Sequence, residues 1–372
     1  QAGDWREKKV AAFRGHMNRF ADEVRKAGLG FGIWMEPERI GPEAPILKER
    51  PEWFVPVPPS ARVDLEKPAA YAWLRGEIWR LVETYKLAWM KLDFNYECDC
   101  DQTGAELSRY SDKWHAMLDD IRKSYPRTFF EGCSSGALRL DLGFLQHVDN
   151  HFPSDTVNPV DVLRICQGAF LRLPPGRLSR WAALRSPGPV VPRYTLRTAD
   201  SPPTILTPTS AGWEPSETVD LDFAMLGAMS GMLGFSGDLA GMPATVRKRI
   251  AEHVVFFKRW RRFLAKSVAH LLSPPELMTV RDGWVVFQFQ DTASTDSIVF
   301  AYRLGLTGQA DPAWCLRGLV PGARYRVKHG IDARGKGRIM KGRELMQDGI
   351  QAGLPANMGR KFLAAVCVVE RM

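Results

Sequence analysis

A chain of 372 residues, 45% hydrophobic and 25% charged, can bury a large core, with room for one large domain and a smaller one. No stretch approaches the ~20 apolar residues of a membrane helix, the net charge of +9 is spread without a basic block or an aromatic-interleaved stripe, and the six cysteines lack paired zinc spacing. These features argue against a membrane span, a nucleic-acid partner and a disulfide scaffold, and favour a reduced, cytoplasmic setting.

Val10, Phe13, Met17, Phe20 and Val24 recur at alternating three and four, the period of one buried helix face, and Gly28 and Gly30 end the run. A short strand follows at "FGIW" (31–34), then a brief strand near Arg62–Leu65 and a helix opened by Pro68 with Leu74, Ile78 and Leu81 on one face. A strand at 87–94 leads to a helix carrying Trp114, Met117, Leu118 and Ile121, a strand at "TFFEGC" (128–133), and shorter apolar pieces around 148–152 and 162–173. So many β/α alternations in a row predict a parallel barrel rather than an open sheet. Residues 174–215 hold nine prolines and six arginines fall between Arg172 and Arg197, which reads as a long irregular excursion. Helical patterns return at 219–235 and 246–264, the latter with Ile250, Val254 and Phe257. From about Pro274 the texture becomes short alternating strands, "WVVFQFQ", "SIVFAY", "RYRVKHG" and "FLAAVCVVE", an all-β sandwich with its own small core. The expected domains are therefore a (β/α) barrel over 1–272 and an antiparallel β-sandwich over 273–372.

In a parallel barrel the reactive groups sit where strands end at the C-terminal face. The polar residues there are Glu36 and Glu38 after "FGIWM", Lys91, Asp93 and Asn95 in "KLDFN", Glu131 and Cys133 in "FFEGCSSG", and Asp149 to Asp155 in "VDNHFPSD". Side chains alternate across a strand, so Lys91, Asp93 and Asn95 share a face. A lysine beside an aspartate favours a carboxylate that stays ionised, as a nucleophile must; an ordinary ion pair with an amide cap explains the same spacing. Asp155 supplies a second carboxyl of the kind glycoside hydrolysis needs, or else caps the helix that begins after "SDTVNP". Cys98, Asp99, Cys100 and Asp101 invite a metal, but Cys-x-Cys is poor chelation geometry and no histidine pair completes a site. His16, His147, His151 and His253 read as surface or core-edge residues. No Gly-x-Ser-x-Gly elbow is present.

Taken together, "GDW" (3–5), "FGIWMEPE" (31–38), "WMKLDFN" (89–95), "EGCSSGALRLDLG" (131–143) and "PSDTVNP" (153–159) resemble the melibiase family of α-galactosidases, glycoside hydrolase family 36, in order and spacing. The resemblance runs from Gly3 to about Leu264, and "GRELMQDGI" (342–350) fits the family's C-terminal domain. It implies a TIM barrel followed by a β-sandwich, and removal of terminal α-linked galactose from melibiose- or raffinose-type oligosaccharides with retention. Asp93 matches the nucleophile and Asp155 the acid/base. Lys91, Cys133 and Trp5 match positions lining the sugar, Gly136 lets the strand-end turn approach it closely, and Trp34 and Asn95 join them as substrate-binding candidates. No metal or cofactor is implied, and homo-oligomers remain open. Related activities stay alive: α-N-acetylgalactosamine removal, galactosyl transfer, or sugar binding without turnover. The family's Asp-Asp-Gly-Trp strand end, upstream of "GDW", has no counterpart, nor does the arginine ahead of its third strand, since Arg62 lies too close to Asp64. About seven β/α units are counted where a closed barrel has eight, so the expected chain is an N-terminally truncated barrel lacking its first β/α unit.

Overall fold

The computed structural model describes residues 2–7, 12–95, 104–156, 158–184, 219–237, 239–305, 311–332, 335–354 and 361–372. They fall into two compact units, Gln1–Phe152 and Pro153–Met372. No helix among the described residues is long and apolar enough to cross a membrane.

In chain order the first unit contains α1 (Met17–Lys26), β1 (Gly32–Met35), β2 (Arg39–Ile40), α2 (Pro45–Glu49), β3 (Phe54–Val57), β4 (Ser60–Val63), α3 (Pro68–Tyr85), β5 (Trp89–Leu92), α4 (Ala105–Ser124), β6 (Phe129–Gly132) and β7 (Asn150–His151). Strands β1, β5, β6 and β7 pair in that order as a parallel sheet. Helices α3 and α4 bury Leu74, Ile78 and Leu81, and Trp114, Met117, Leu118 and Ile121, the residues whose 3.6-residue period marked these faces. Gly132 is required where β6 packs most tightly. A Cβ there would lie 2.5 Å from the Phe144 ring and 3.0 Å from His151, closer than a side chain tolerates.

Two expectations for this unit are corrected. The segment near Arg62–Leu65 is no member of the parallel sheet: β4 lies between β2 and β3 in a separate antiparallel sheet. Its pattern is short, with polar and apolar residues mixed, and such a run does not distinguish a barrel strand from a hairpin arm. Helix α1 begins at Met17, with Phe13 outside it and Val10 outside the described residues. Arg14 and Gly15 take positive φ, and the Glu7 carboxylate accepts from the Gly15 and Met17 N–H groups, fixing the helix start. Only Ala21 of α1 is buried.

The second unit contains α5 (Pro159–Ala169), β8 (Ser179–Ala183), α6 (Leu221–Met229), β9 (Met232–Ser236), α7 (Ala244–Lys266), β10 (Val268–Leu271), β11 (Trp284–Gln290), β12 (Ser297–Arg303), β13 (Arg324–His329), β14 (Arg338–Lys341), α8 (Gly342–Gln347) and β15 (Leu363–Arg371). Strands β8 and β9 pair in parallel. The expected helix over 219–235 therefore stops at Met229, and the excursion from 174 contains a strand; residues 185–215 of it lie outside the described residues. Both strands are only five residues long, Ser179–Ala183 with Ser and Arg among them, and so short a segment carries no decisive helix or strand period. The four alternating segments read from Pro274 onward form strands β11, β12, β13 and β15 of one antiparallel sheet, ordered β10-β11-β12-β15-β13-β14. One face of this sheet carries a core with Val286, Val299, Tyr325, Val327 and Val369. The opposite face is not left to solvent. Phe287 and Phe289 meet Phe170 edge-on, at the end of α5, and Tyr302 meets Phe223 of α6. Every residue of β11 and β12 is consequently buried, including Gln288 and Gln290, whose amides donate to the Arg317 carbonyl. The two fold classes read from the sequence, parallel β/α and antiparallel β, are both present. Among the described residues the parallel strands do not pair into a closed ring.

Candidate active site

Parallel register assembles the candidate site of the first unit. Trp34, Lys91 and Glu131 are consecutive Cα partners across β1, β5 and β6. The ladder continues past the strand ends, since the Asp93 N–H donates to the Met35 carbonyl, Cys133 to Leu92, and Phe152 to Gly132. Because side chains alternate, Trp34 and Glu36, Lys91, Asp93 and Asn95, and Glu131 and Cys133 all rise on one face.

Asp93 is buried, with 6% of its surface exposed. Its Oδ2 accepts from Trp34 Nε1 and from Asn95 Nδ2, each at 3.0 Å, and Oδ1 accepts from the Phe94 N–H at 2.8 Å. The expected Lys91–Asp93 ion pair is replaced by another arrangement. The Lys91 ammonium pairs with Glu131 at 3.4 Å and stands 3.4 Å from the centre of the Phe152 ring. The neighbouring strand supplies the lysine's carboxylate, a contact that spacing within one strand does not reveal.

Beside Asp93 lies a buried, neutral thiol, and the next strand carries a buried, neutral imidazole. Burial pushes the Cys133 thiol well up, and the Asp93 carboxyl adds to the rise while Lys91 opposes it; the thiol is thus no nucleophile. His151, expected at the surface or core edge, is fully buried, as is His253, which meets Asp222 at 2.7 Å. Burial drives the His151 imidazole down to about 4, with Lys91 adding to the fall. The unfolded chain protonates this histidine below about pH 6.5 whereas the fold keeps it neutral, so its contribution is fully present above that pH and is lost as pH falls towards 4. The whole span amounts to roughly 3 kcal/mol. Urea unfolding midpoints should fall over this window, and His151→Gln should flatten the dependence; an unchanged slope in the variant contradicts the assignment.

The turn after β6 closes the site floor. Ser135 has φ +42° and Gly136 +81°, the left-handed backbone that favours glycine, and the Ser135 N–H and hydroxyl both donate to Asn95 Oδ1. Arg139 beyond the turn makes a two-pronged pair with Glu38, which also accepts from Tyr110, and lies over the Phe94 ring. Arg62 is turned to Glu106 and Tyr110.

Glu36 was read only as a strand-end acid. It is 5% exposed, and its Oε1 accepts from the Asn95 N–H at 2.7 Å while Oε2 faces Arg39 at 3.4 Å. Burial pushes its carboxyl up, against the pull of the Asn95 N–H and Arg39. Glu36, Arg39, Trp34 and Trp5 line a cavity of about 650 Å³. Trp5 is placed there by its carbonyl, which accepts from Arg80, and by its ring, 5.7 Å from Trp73. Trp34 is 53% exposed, so a broad indole face borders the opening, the kind of surface on which the apolar face of a sugar stacks.

Asp155 belongs to the second unit, where it is exposed. It is not the cap of α5: Asn158 takes that role, its side chain accepting from the Val160 and Asp161 N–H groups. The capping account of Asp155 is thereby removed. Cys98 to Asp101 lie outside the described residues. Among the described residues no group of three or more His, Cys, Asp or Glu side chains is placed to hold a metal ion.

Comparison with known proteins adds the following. The Melibiase family model matches residues 1–198, and that of the glycosyl hydrolase family 36 C-terminal domain matches residues 284–366. α-Galactosidase Mel36A of Lactobacillus acidophilus is 31% identical over 188 residues, covering 46% of this chain and 26% of the relative. α-Galactosidase AgaA of Geobacillus stearothermophilus is 23% identical over 356 residues, covering 91% of this chain and 44% of the relative. Among solved structures, the galactosidase domain of the α-galactosidase-sucrose kinase AgaSK superposes with a TM-score of 0.82 at 20% identity, over 100% of this chain and 48% of the other. AgaA solved in complex with raffinose gives 0.80 at 20%, over 100% and 49%. The chain thus spans less than half the length of each of these proteins.

Proposed function

The chain belongs to the melibiase family, and from that premise we propose that it removes terminal α-linked galactose from oligosaccharides, with raffinose-type sugars as the substrate class and net retention at the anomeric carbon. The observation that carries this reading is Asp93: a buried carboxylate at a parallel-strand end, oriented by three N–H groups and bordered by an exposed tryptophan face.

In the proposed reaction Asp93 attacks the anomeric carbon from the face opposite the glycosidic oxygen. That oxygen takes a proton from Asp155 as the bond breaks, leaving a galactosyl ester on Asp93. Asp155, now a carboxylate, removes a proton from water, which displaces Asp93 and restores the α-configuration. Retention of this kind needs the two carboxyls ~5–5.5 Å apart. Lys91, held by Glu131, is a donor for sugar hydroxyls, the neutral Cys133 thiol bounds the space beside Asp93, and Trp5 and Trp34 cover the sugar's apolar face. The Gly136 turn brings backbone close to the ring.

Following cleavage of a nitrophenyl α-galactoside by proton NMR tests this reading. The first-formed galactose should be the α-anomer, with the β-anomer appearing later by mutarotation. Initial β-galactose, or faster turnover of the α-N-acetylgalactosaminide, would redirect the assignment.

A further inference from the structure

We infer that Glu36 is a positioning residue for Asp93, acting through Asn95. The inference rests on the proposed attack by Asp93 and names the device that aims it.

The parallel ladder between β1 and β5 reaches the Asp93 N–H, which donates to the Met35 carbonyl. Two residues on, the Asn95 N–H does not continue the ladder. It donates instead to the Glu36 side chain, at 2.7 Å, beyond the end of β1 at Met35. A buried carboxylate accepting from a backbone N–H makes a short, charge-assisted bond, so the point where the chain leaves β5 is clamped from the neighbouring strand. Asn95 passes the constraint on. Its Nδ2 donates to Asp93 Oδ2 at 3.0 Å, and its Oδ1 accepts from Ser135. With the backbone of Asn95 fixed by Glu36 and its amide oxygen fixed by the β6 turn, the amide N–H is left pointing at one lone pair of one carboxylate oxygen. Arg39, at Oε2, holds Glu36 itself. Misplacing a reacting atom by about 1 Å costs on the order of a hundredfold in rate, so a clamp that acts on Asp93 through Asn95 governs turnover.

The test compares Glu36→Ala with Glu36→Gln in the full chain. Glutamine keeps a carbonyl oxygen for the Asn95 N–H, while it loses the charge and turns an NH2 group in place of Oε2 towards Arg39. Glu36→Ala should lower kcat by about 10- to 100-fold with KM within about threefold, and should speed hydrogen exchange at the Asn95 amide at least tenfold while peptides of α3 keep their protection. Glu36→Gln should restore both to within about fivefold of the unaltered chain. Unchanged exchange and kcat in Glu36→Ala, or a Gln variant as impaired as the Ala variant, overturns the inference. An unaltered chain without turnover counts against the hydrolase reading instead. Affinity for a galactose-configured iminosugar, whose cation meets Asp93, then replaces kcat. It should weaken tenfold or more in Glu36→Ala and recover in Glu36→Gln, and equal affinity across the three chains overturns the inference.

Discussion

Asp93→Ala is expected to lower kcat on a nitrophenyl α-galactoside by about ten-thousand-fold or more, because in the proposed reaction both chemical steps pass through the bond this carboxylate makes. The substitution also withdraws the acceptor from the buried Phe94 N–H, which costs about 1–3 kcal/mol when unsatisfied. Lost activity alone would thus not separate chemistry from folding. Azide makes the separation. A small anion fits the space left by the carboxylate and attacks the anomeric carbon once, so the rescued product should be the β-galactosyl azide, of opposite configuration to the substrate. Recovery of rate with that product establishes a nucleophile; loss of rate without rescue, in a chain whose Tm is preserved, argues against one. Asp93→Asn, which keeps the side-chain volume, should be as inactive as the alanine variant.

Asp155→Ala is expected to divide substrates by their leaving groups. Raffinose-type sugars leave as poor alkoxides and need the proton, so their kcat/KM should fall about 100- to 10,000-fold. A dinitrophenyl galactoside leaves without protonation and should form the galactosyl intermediate at nearly the unaltered rate, with turnover then limited by the missing base and accelerated by azide. The alkaline limb of the pH profile, which reports ionisation of the acid, should disappear. Equal losses on both substrate types would assign Asp155 a structural role. The structure sharpens this test, since Asn158 already caps α5 and the variant leaves that cap in place.

The elements that were legible are those whose pattern is long. Helices α3 and α4 each repeat an apolar face over several turns, and only one secondary structure satisfies such a pattern. The strands β8, β9 and β4 were misread or misplaced because segments of four or five residues, with Ser and Arg among them in β4 and β8, fit a barrel strand, a hairpin arm or the end of a helix equally well. In the site, Lys91, Asp93 and Asn95 were placed on one face correctly because strand alternation is local. Their partners were not legible, because Trp34, Glu36 and Glu131 stand on other strands, and register between strands is set by packing across the sheet rather than along the chain. The same limit hid His151 and His253: a lone histidine carries no periodic signal, and its burial depends on what packs over it. The cysteines of the 96–103 segment draw the eye in the sequence, while the described chemistry lies before them.

The most direct measurement of the central claim is to trap the covalent intermediate. An activated fluorosugar of galactose configuration should inactivate the chain with one-to-one stoichiometry, and digestion followed by mass spectrometry should find the sugar ester on the peptide containing Asp93, with excess substrate slowing the labelling. Label on another carboxylate, or turnover that proceeds with direct inversion and leaves Asp93 unmodified, would contradict the account.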